Sequence, residues 1–517
     1  MVAATLTAVA FIARRGGLPT DGLWHDDAWV VFGSTEGSLS HLFTVGADHP
    51  GFTLVLMAWT RLGWSIESTS YPAFIAGTLG PPALYLVLRR LGFERSISAL
   101  LGATLAAADI HIMYSGRVKT YTLDMLIVLL LVVAVAGLAN TRWRWYTAVA
   151  WVAAASVVGS VSGFALVATA AAGIVLLLHP ASDRTVRFVA VGAQAALQLI
   201  LFVATQNTYD TRELEVFWAR QYDAYLDFDV NPIRFVAEVV EHLSRVAHVF
   251  PGGSGWWATL CVIIALLGLG AASTGRLPPG AVRARYLLII LLVVVLGALL
   301  DKFPFGPARG GDKLGPATFS RGDRASIWLI PLVAVGLAVT IQALRRLAAD
   351  RWPLRVGFDT LLYLLAAIVL IAAVGHDAPP YALLGSKSAV KFVESQLHKD
   401  DALLVMQGGH YQLALESDLK VSLLARPKES IGFVPQFNDP RVHVAEFAFD
   451  RPISPSVLRR TREAIRGVDR VIVYSGSHIF TVQFLIAQEA VLRNKGFRKQ
   501  ETVNFGGEQV WIWRRLP

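Results

Sequence analysis

Apolar positions crowd this chain into runs of about twenty residues, separated by short polar breaks, from near its start to about residue 375. The runs fall at roughly 68–88, 96–114, 118–139, 143–158, 161–178, 186–205, 255–272, 285–300, 325–343 and 356–375. About twenty apolar residues make a helix long enough to cross a bilayer. With Met1–Ala13, a short apolar opening that lacks a basic leader and reads as a first helix rather than a signal peptide, the pattern predicts about eleven transmembrane helices. Between the first two spans, a loop over 14–67 holds the apolar stretch Pro50–Trp64, too short to span and read as a helix lying at the membrane interface.

After residue 375 the pattern changes. Ser386–His398 reads as an amphipathic helix, Ala402–Met406 and Arg470–Tyr474 as buried strands, His478–Asn494 as a helix and Glu508–Trp513 as a closing strand. Strands alternating with helices predict a small α/β domain over 376–517. The expected fold is a polytopic α-helical membrane domain, 1–375, followed by a soluble α/β domain.

Composition agrees. Hydrophobic residues make up 54% of the 517 and charged residues only 16%, against roughly 25% charged in soluble domains. The net charge of +9 does not point to nucleic acid, because the arginines gather between the apolar runs. They occur at Arg89/Arg90/Arg95, Arg142/Arg144, Arg184/Arg187, Arg276/Arg283/Arg285 and Arg345/Arg346/Arg351/Arg355. Counting spans puts all of these on one side, the cytoplasmic side by the positive-inside rule. Arg14 and Arg15 fall on the other side. The loop 14–67, the loops 206–253 and 301–323 and the tail then share the outer face. The single cysteine, Cys261, excludes an internal disulfide and a cysteine metal cluster. There is no Walker loop, dinucleotide fingerprint, HExxH or CxxC, which argues against nucleotide-driven transport, dinucleotide chemistry and zinc proteolysis.

The candidate chemistry sits in the polar breaks of the outer face. His25-Asp26-Asp27-Ala28-Trp29 and Ala47-Asp48-His49-Pro50 bring carboxylates close to the membrane surface. There a carboxylate can act as a general base on a hydroxyl, and Asp27 with Asp48 can hold a divalent cation. The plainer reading is that Asp26 or Asp27 caps the following helix, and two adjacent aspartates can divide the roles. Tyr114-Ser115-Gly116-Arg117-Val118-Lys119-Thr120-Tyr121 sets two cations at an outer boundary, suited to a lipid phosphate; the plainer reading is snorkelling to headgroups. Asp109, His111 and Asp124 nearby read as ion-pair partners of Arg117 and Lys119. A later run, from Asp301 through Phe303-Pro304-Phe305-Gly306 and Arg309 to Arg321, Asp323 and Arg324, returns cations to the same face. The loop 206–253, with its acids and aromatics, reads either as a cover for a substrate or as an interfacial aromatic belt.

In this order the motifs resemble the GT-C superfamily of membrane glycosyltransferases, in particular bacterial members that use polyprenyl-phosphate sugars. Asp26-Asp27-Ala28-Trp29 is similar to the acidic motif of the first external loop, and Asp48-His49-Pro50 to the second acidic position. Ser115 to Tyr121 resembles the Ser-x-x-x-Arg-x-Tyr pattern after the third span, with Lys119 in place of Arg. Phe303-Pro304-Phe305-Gly306 and Arg324 to Pro331 resemble the late motif, split by an insertion at 307–323. The resemblance covers about residues 1–375; the tail resembles the external domain that some members append.

It implies a multi-pass protein of the bacterial cytoplasmic membrane, with its active site and tail on the outer face. A single sugar would pass from a polyprenyl phosphate to a hydroxyl of a glycan, lipid or protein acceptor, with inversion. Asp27 is the implied base, with Asp26 as helper and Asp48 orienting the acceptor or holding a divalent cation. Lys119, Arg117, Arg324 and Arg309 are the implied phosphate ligands, while His49, Tyr121 and Trp29 would line the substrate. Asp27 stands where relatives carry Glu after Asp, so either aspartate can be the base. Lys119 forgoes the two-pronged grip of an arginine. The rival classes are a transporter or lipid flippase, against which stands the lack of an inverted repeat, and a non-catalytic lipid-binding scaffold.

Overall fold

A computed structural model describes residues 1–42, 49–180, 182–206, 218–219, 225–226, 231–247, 256–305, 322–347, 352–375, 385–406, 409–425, 433–445, 455–475, 481–506 and 508–517. The helices run, in order, α1 (Val2–Arg15), α2 (His25–Thr35), α3 (Pro50–Arg61), α4 (Tyr71–Arg90), α5 (Arg95–Ala106), α6 (Asp109–Ser115), α7 (Tyr121–Asn140), α8 (Trp145–Gly159), α9 (Gly163–Leu178), α10 (Arg184–Gln206), α11 (Pro232–Ala247), α12 (Trp256–Ala272), α13 (Ala281–Leu299), α14 (Ile330–Leu347) and α15 (Trp352–Val374). A 3-10 segment, Gly322–Leu329, leads into α14. The tail then runs α16 (Ser386–Gln396), β1 (Ala402–Met406), α17 (Gly409–Glu416), β2 (Val421–Ala425), β3 (Phe433–Phe437), β4 (Val442–Ala445), α18 (Pro455–Ala464), β5 (Arg470–Ser475), α19 (Thr481–Asn494), β6 (Phe497–Phe505) and β7 (Glu508–Arg515).

Two units form. The first holds Met1–Gly17, Tyr71–Val203 and Glu215–Pro379; the second holds Leu18–Ser70, Ala204–Leu214 and Pro380–Pro517. The segment expected as an external loop of the membrane part thus folds with the tail.

Among the described residues, six helices are long and apolar enough to cross a membrane: Ile66–Arg90, Tyr121–Asn140, Arg184–Thr205, Ala281–Leu299, Arg324–Leu347 and Arg355–Val374. The pair Arg95–Ala106 and Asp109–Ser115, bent by 59°, makes a seventh if counted as one span. Trp145–Gly159, Gly163–Leu178 and Trp256–Ala272 are apolar but shorter. Length and composition therefore qualify six or seven of the eleven expected spans among the described residues. The chain is a multi-pass membrane protein.

Some of the arginines expected in loops bind neighbouring helix ends, in two separate clusters. Arg345, in the last turn of α14, pairs with Glu94 at 3.0 Å and with Asp359 of α15 at 2.8 Å. Glu94 is the residue that opens α5. Arg187 holds Asp183 at 3.3 Å and donates to the carbonyls of Ala139 and Thr141. These arginines are tethers between helix ends as well as loop charges.

Arg14 lies at the opposite end of α5 and is fully buried. The break after Ala106 leaves carbonyls without their helical partners, which an apolar surrounding cannot solvate. Arg14 supplies the missing donors, to Leu105 and Ala106 at 3.2 Å each. A side chain used this way is not a loop charge, which accounts for its place on the side that the arginine count disfavours.

The second unit is built on a five-stranded sheet of order β4-β1-β5-β7-β6, with a separate β2-β3 ribbon. β1 lies parallel to β4 and β5; β7 runs antiparallel to β5 and β6. Side chains alternate across a strand, and both faces of β1 are buried. Ala402, Leu404 and Met406 join Val471, Val473, Trp511 and Trp513 on one face, with Leu492 of α19 and Ile465 beyond α18. Leu403 and Val405 join Ile472, Tyr474 and Val510 on the other, under Ala389, Val390 and Val393 of α16. Helices on both faces explain why β1 reads as an unbroken apolar run. The expected α/β domain is present, and Ser386–Gln396, Ala402–Met406, Arg470–Ser475, Thr481–Asn494 and Glu508–Arg515 match the elements read from the sequence to within a few residues.

Candidate active site

The acidic helix belongs to the second unit. α2 begins at His25, and its N-cap is Trp24, which makes no side-chain cap. Asp26 and Asp27 occupy the first turn instead. This corrects the expectation that one of them caps the helix: neither stands at the cap position. Carboxylates in the first turn still face the free amides and the positive end of the helix dipole. Asp27 is buried, at 2% exposure; Asp26 and Trp29 are half-buried. α3 packs against α2. Its N-cap is His49, with Pro50 at the first helical position, where a missing amide costs nothing. Pro50–Arg61 is helical, as expected of the interfacial stretch. Asp48 and Arg309 lie outside the described residues. Among the described residues no group of three or more His, Cys, Asp or Glu gathers to hold a metal ion.

The basic motif belongs to the first unit. Ser115 ends α6, Gly116 closes it, and Tyr121 opens α7, so Arg117 and Lys119 lie on the turn between two helices. Arg117 is buried at 2% exposure and Lys119 is half-buried. Burial of Arg117 sets aside the snorkelling reading for that residue. The Arg117 guanidinium lies over the Tyr114 ring at 5.7 Å, a geometry that favours the cation.

The turn is seated on the end of α1. Arg14 Nε donates to Ser115 Oγ at 3.2 Å, and the Ser115 hydroxyl in turn donates to the carbonyl of His111. Arg14 Nη2 lies 2.8 Å from His111 Nδ1. An arginine only donates, so Nδ1 accepts and the ring proton sits on Nε2. Gly116 packs on the backbone of Gly17 so closely that a methyl group there would collide with the Gly17 carbonyl.

A chain of aromatic rings leads from this turn to the Arg324 segment. Tyr114 meets Tyr121 at 5.2 Å, Tyr121 meets Phe164 at 6.2 Å, and Phe164 meets both Phe303 at 5.1 Å and Trp328 at 5.3 Å. The 3-10 segment Gly322–Leu329 packs against α6 and α7. Arg324 is largely buried, with its guanidinium over the Trp218 ring at 4.9 Å. Within the first unit, then, the helices that flank the Arg117 turn pack against the segment that carries Arg324. Asp124, buried on the first turn of α7, accepts from the Ser162 hydroxyl, which also caps α9 through the amide of Ala165.

No protein-family model matches this chain, and no curated protein sequence matches it. Solved structures do. ArnT from Cupriavidus metallidurans in the apo state superposes with a TM-score of 0.54 over 99% of this chain and 97% of that one, at 11% identity. The same ArnT bound to undecaprenyl phosphate gives 0.54 at 10% identity over the same shares. The Archaeoglobus fulgidus oligosaccharyltransferase in the apo form gives 0.51 at 11% identity, over 96% of this chain and 72% of that one.

The chain has the GT-C fold.

The GT-C neighbours extend the likeness through the tail, which the sequence motifs left without a marker. Three groups around the GT-C motifs escaped the sequence reading. Arg14 was visible as a charge on the disfavoured side. Ser162 was visible as a hydroxyl just before an apolar run, the position of a helix cap. Trp328, buried within the late motif, carried no signal of its contact with Phe164.

Proposed function

We propose that this chain is a glycosyltransferase that moves one sugar from a polyprenyl-phosphate donor to an acceptor hydroxyl at the outer face of the bacterial cytoplasmic membrane. One observation carries the reading: the GT-C fold runs the whole length of the chain, and an end-to-end structural neighbour is known bound to undecaprenyl phosphate. The burial of Arg117, Asp27 and Arg324 supports it, since buried charges are retained where they meet partners or substrate.

The chemistry needs few groups. A lipid phosphate is already a good leaving group, so no acid need protonate it. Asp27 takes the proton of the acceptor hydroxyl, with Asp26 as helper. The acceptor oxygen attacks the anomeric carbon as the bond to the phosphate breaks, so a single displacement inverts that centre. Arg117, Lys119 and Arg324 stabilise the charge left on the phosphate, with Arg309 as a further ligand. Asp48 orients the acceptor, and His49, Tyr121 and Trp29 line the sugar.

Transfer from radiolabelled polyprenyl-phosphate sugars in membranes carrying the chain tests this. Label should reach an acceptor with the wild type and not with the Asp26→Asn, Asp27→Asn double variant. Full transfer by the double variant would sink the role of the aspartates. The absence of transfer with every donor would sink the activity itself.

A further inference from the structure

The acidic helix and the tail domain share one unit, and the joint between them is specific. Gln412 on α17 is buried, and its amide donates to the carbonyl of Leu23, just before the N-cap of α2. The next residue back on α17, Tyr411, sets its ring 5.9 Å from that of Phe32 on α2. Lys387 on α16 reaches Glu67, at 3.2 Å, and Glu416 at the end of α17, at 3.7 Å. Burial pushes the Glu416 carboxyl up, while Glu416 and Glu67 together push the Lys387 ammonium up. Gly22 runs at φ +105°, and a methyl group there would stand 2.5 Å from Cβ of Ser386. Ser388 reaches Asp21 at 3.3 Å.

These contacts hold both ends of the segment that contains Asp26 and Asp27: Asp21 to Leu23 before it, Phe32 within α2, and Glu67 beyond α3. Surface pairs alone would do little, but Gln412 is enclosed, and its bond fixes the backbone two residues before the start of α2. We propose that the tail domain is a clamp that sets the position of the acidic helix, with Gln412 and Lys387 as positioning residues that act through α2 and touch no substrate. The proposal rests on the glycosyltransferase reading only for its effect on turnover.

Hydrogen exchange over residues 23–35 of the full chain in nanodiscs, followed by mass spectrometry, reads the clamp directly. Lys387→Glu sets three carboxylates against one another and should raise exchange there about tenfold; adding Glu67→Lys returns a cation and should recover most of the protection. Gln412→Asn, one methylene shorter, withdraws the donor from Leu23 and should raise exchange without a change of charge. In the transfer assay these variants should lose about tenfold in kcat with KM for the polyprenyl-phosphate sugar within twofold. Raised exchange that Glu67→Lys reverses supports the clamp. Unchanged exchange in both Lys387→Glu and Gln412→Asn overturns it, and so does an equal rise across the whole tail. A wild type inactive on every donor overturns the reading of function, while the exchange data still decide the clamp.

Discussion

Arg14 Nη2 donates to His111 Nδ1 across 2.8 Å, joining residues 97 positions apart in the chain. The same guanidinium also serves two carbonyls at the α5 break and the Ser115 hydroxyl. Arg14→Met keeps the bulk and removes every donor. With the Ala106 carbonyl and His111 Nδ1 deprived of this buried donor, it should cost roughly 3 kcal/mol, read as a lowered Tm in detergent. Arg14→Lys should recover only part, since one ammonium cannot reproduce the planar fork.

Gly116→Ala should lower transfer by more than tenfold while the tail stays folded. The added methyl collides with the Gly17 backbone, and backbone cannot step aside as a flexible side chain can. The turn bearing Arg117 and Lys119 must then shift, and a misplacement of about 1 Å can cost about a hundredfold. Measured kcat and KM for the lipid donor check this; unchanged values would show that the turn does not position the phosphate.

Lys119→Arg should retain transfer, and Lys119→Ala should lower kcat/KM by about tenfold to a hundredfold, the scale of a charge-assisted contact to phosphate. Equal activity of wild type and Lys119→Ala would remove Lys119 from the phosphate site.

Glu508 gives a pH dependence. Its carboxyl is fully buried against the Ser386 hydroxyl at 3.0 Å, and burial pushes it from the ordinary 4.5 to about 7. The folded chain therefore holds a proton that the unfolded chain releases between these values. Stability from this group is full below pH 4.5, falls as pH rises through the window, and above 7 is lower by roughly 3 kcal/mol. Glu508→Gln should flatten this fall and make the chain more stable than wild type at pH 8. Thermal melts between pH 5 and 8 check it, and parallel curves for the two proteins would refute it.

Ser162→Ala removes both the cap of α9 and a hydrogen bond to buried Asp124. A lost cap costs about 1 kcal/mol and a weakened buried carboxylate more, so the Tm in detergent should fall by several degrees. Ser162→Thr should largely restore it.

The sequence displayed whatever depends on neighbours in the chain. The length of apolar runs gave a multi-pass membrane protein, though six or seven of the eleven expected spans qualify among the described residues, and the unbroken run Ala402–Met406 announced a strand covered on both faces. The acidic helix was legible from His25 to Trp29, although its start was misjudged: Trp24, a poor capping residue, stands at the cap. The β2-β3 ribbon was missed because Pro435 argues against a strand. In a two-stranded ribbon every strand is an edge, where a missing amide is tolerated. β4, half-polar and four residues long, was too short to read. What no local pattern carries is pairing at a distance: Arg14 with the α5 break, or Gln412 with Leu23.

Leu23 and Gln412 are separated by 389 residues. At about 5–20 residues per second, a ribosome needs roughly 20–80 s to pass from one to the other. The acidic helix is thus made early and waits, through the insertion of every later membrane span, for the surface that receives it. Shortening the chain at its far end would strand a segment synthesised near the beginning, and nascent chains halted before residue 412 should leave residues 18–70 open to protease.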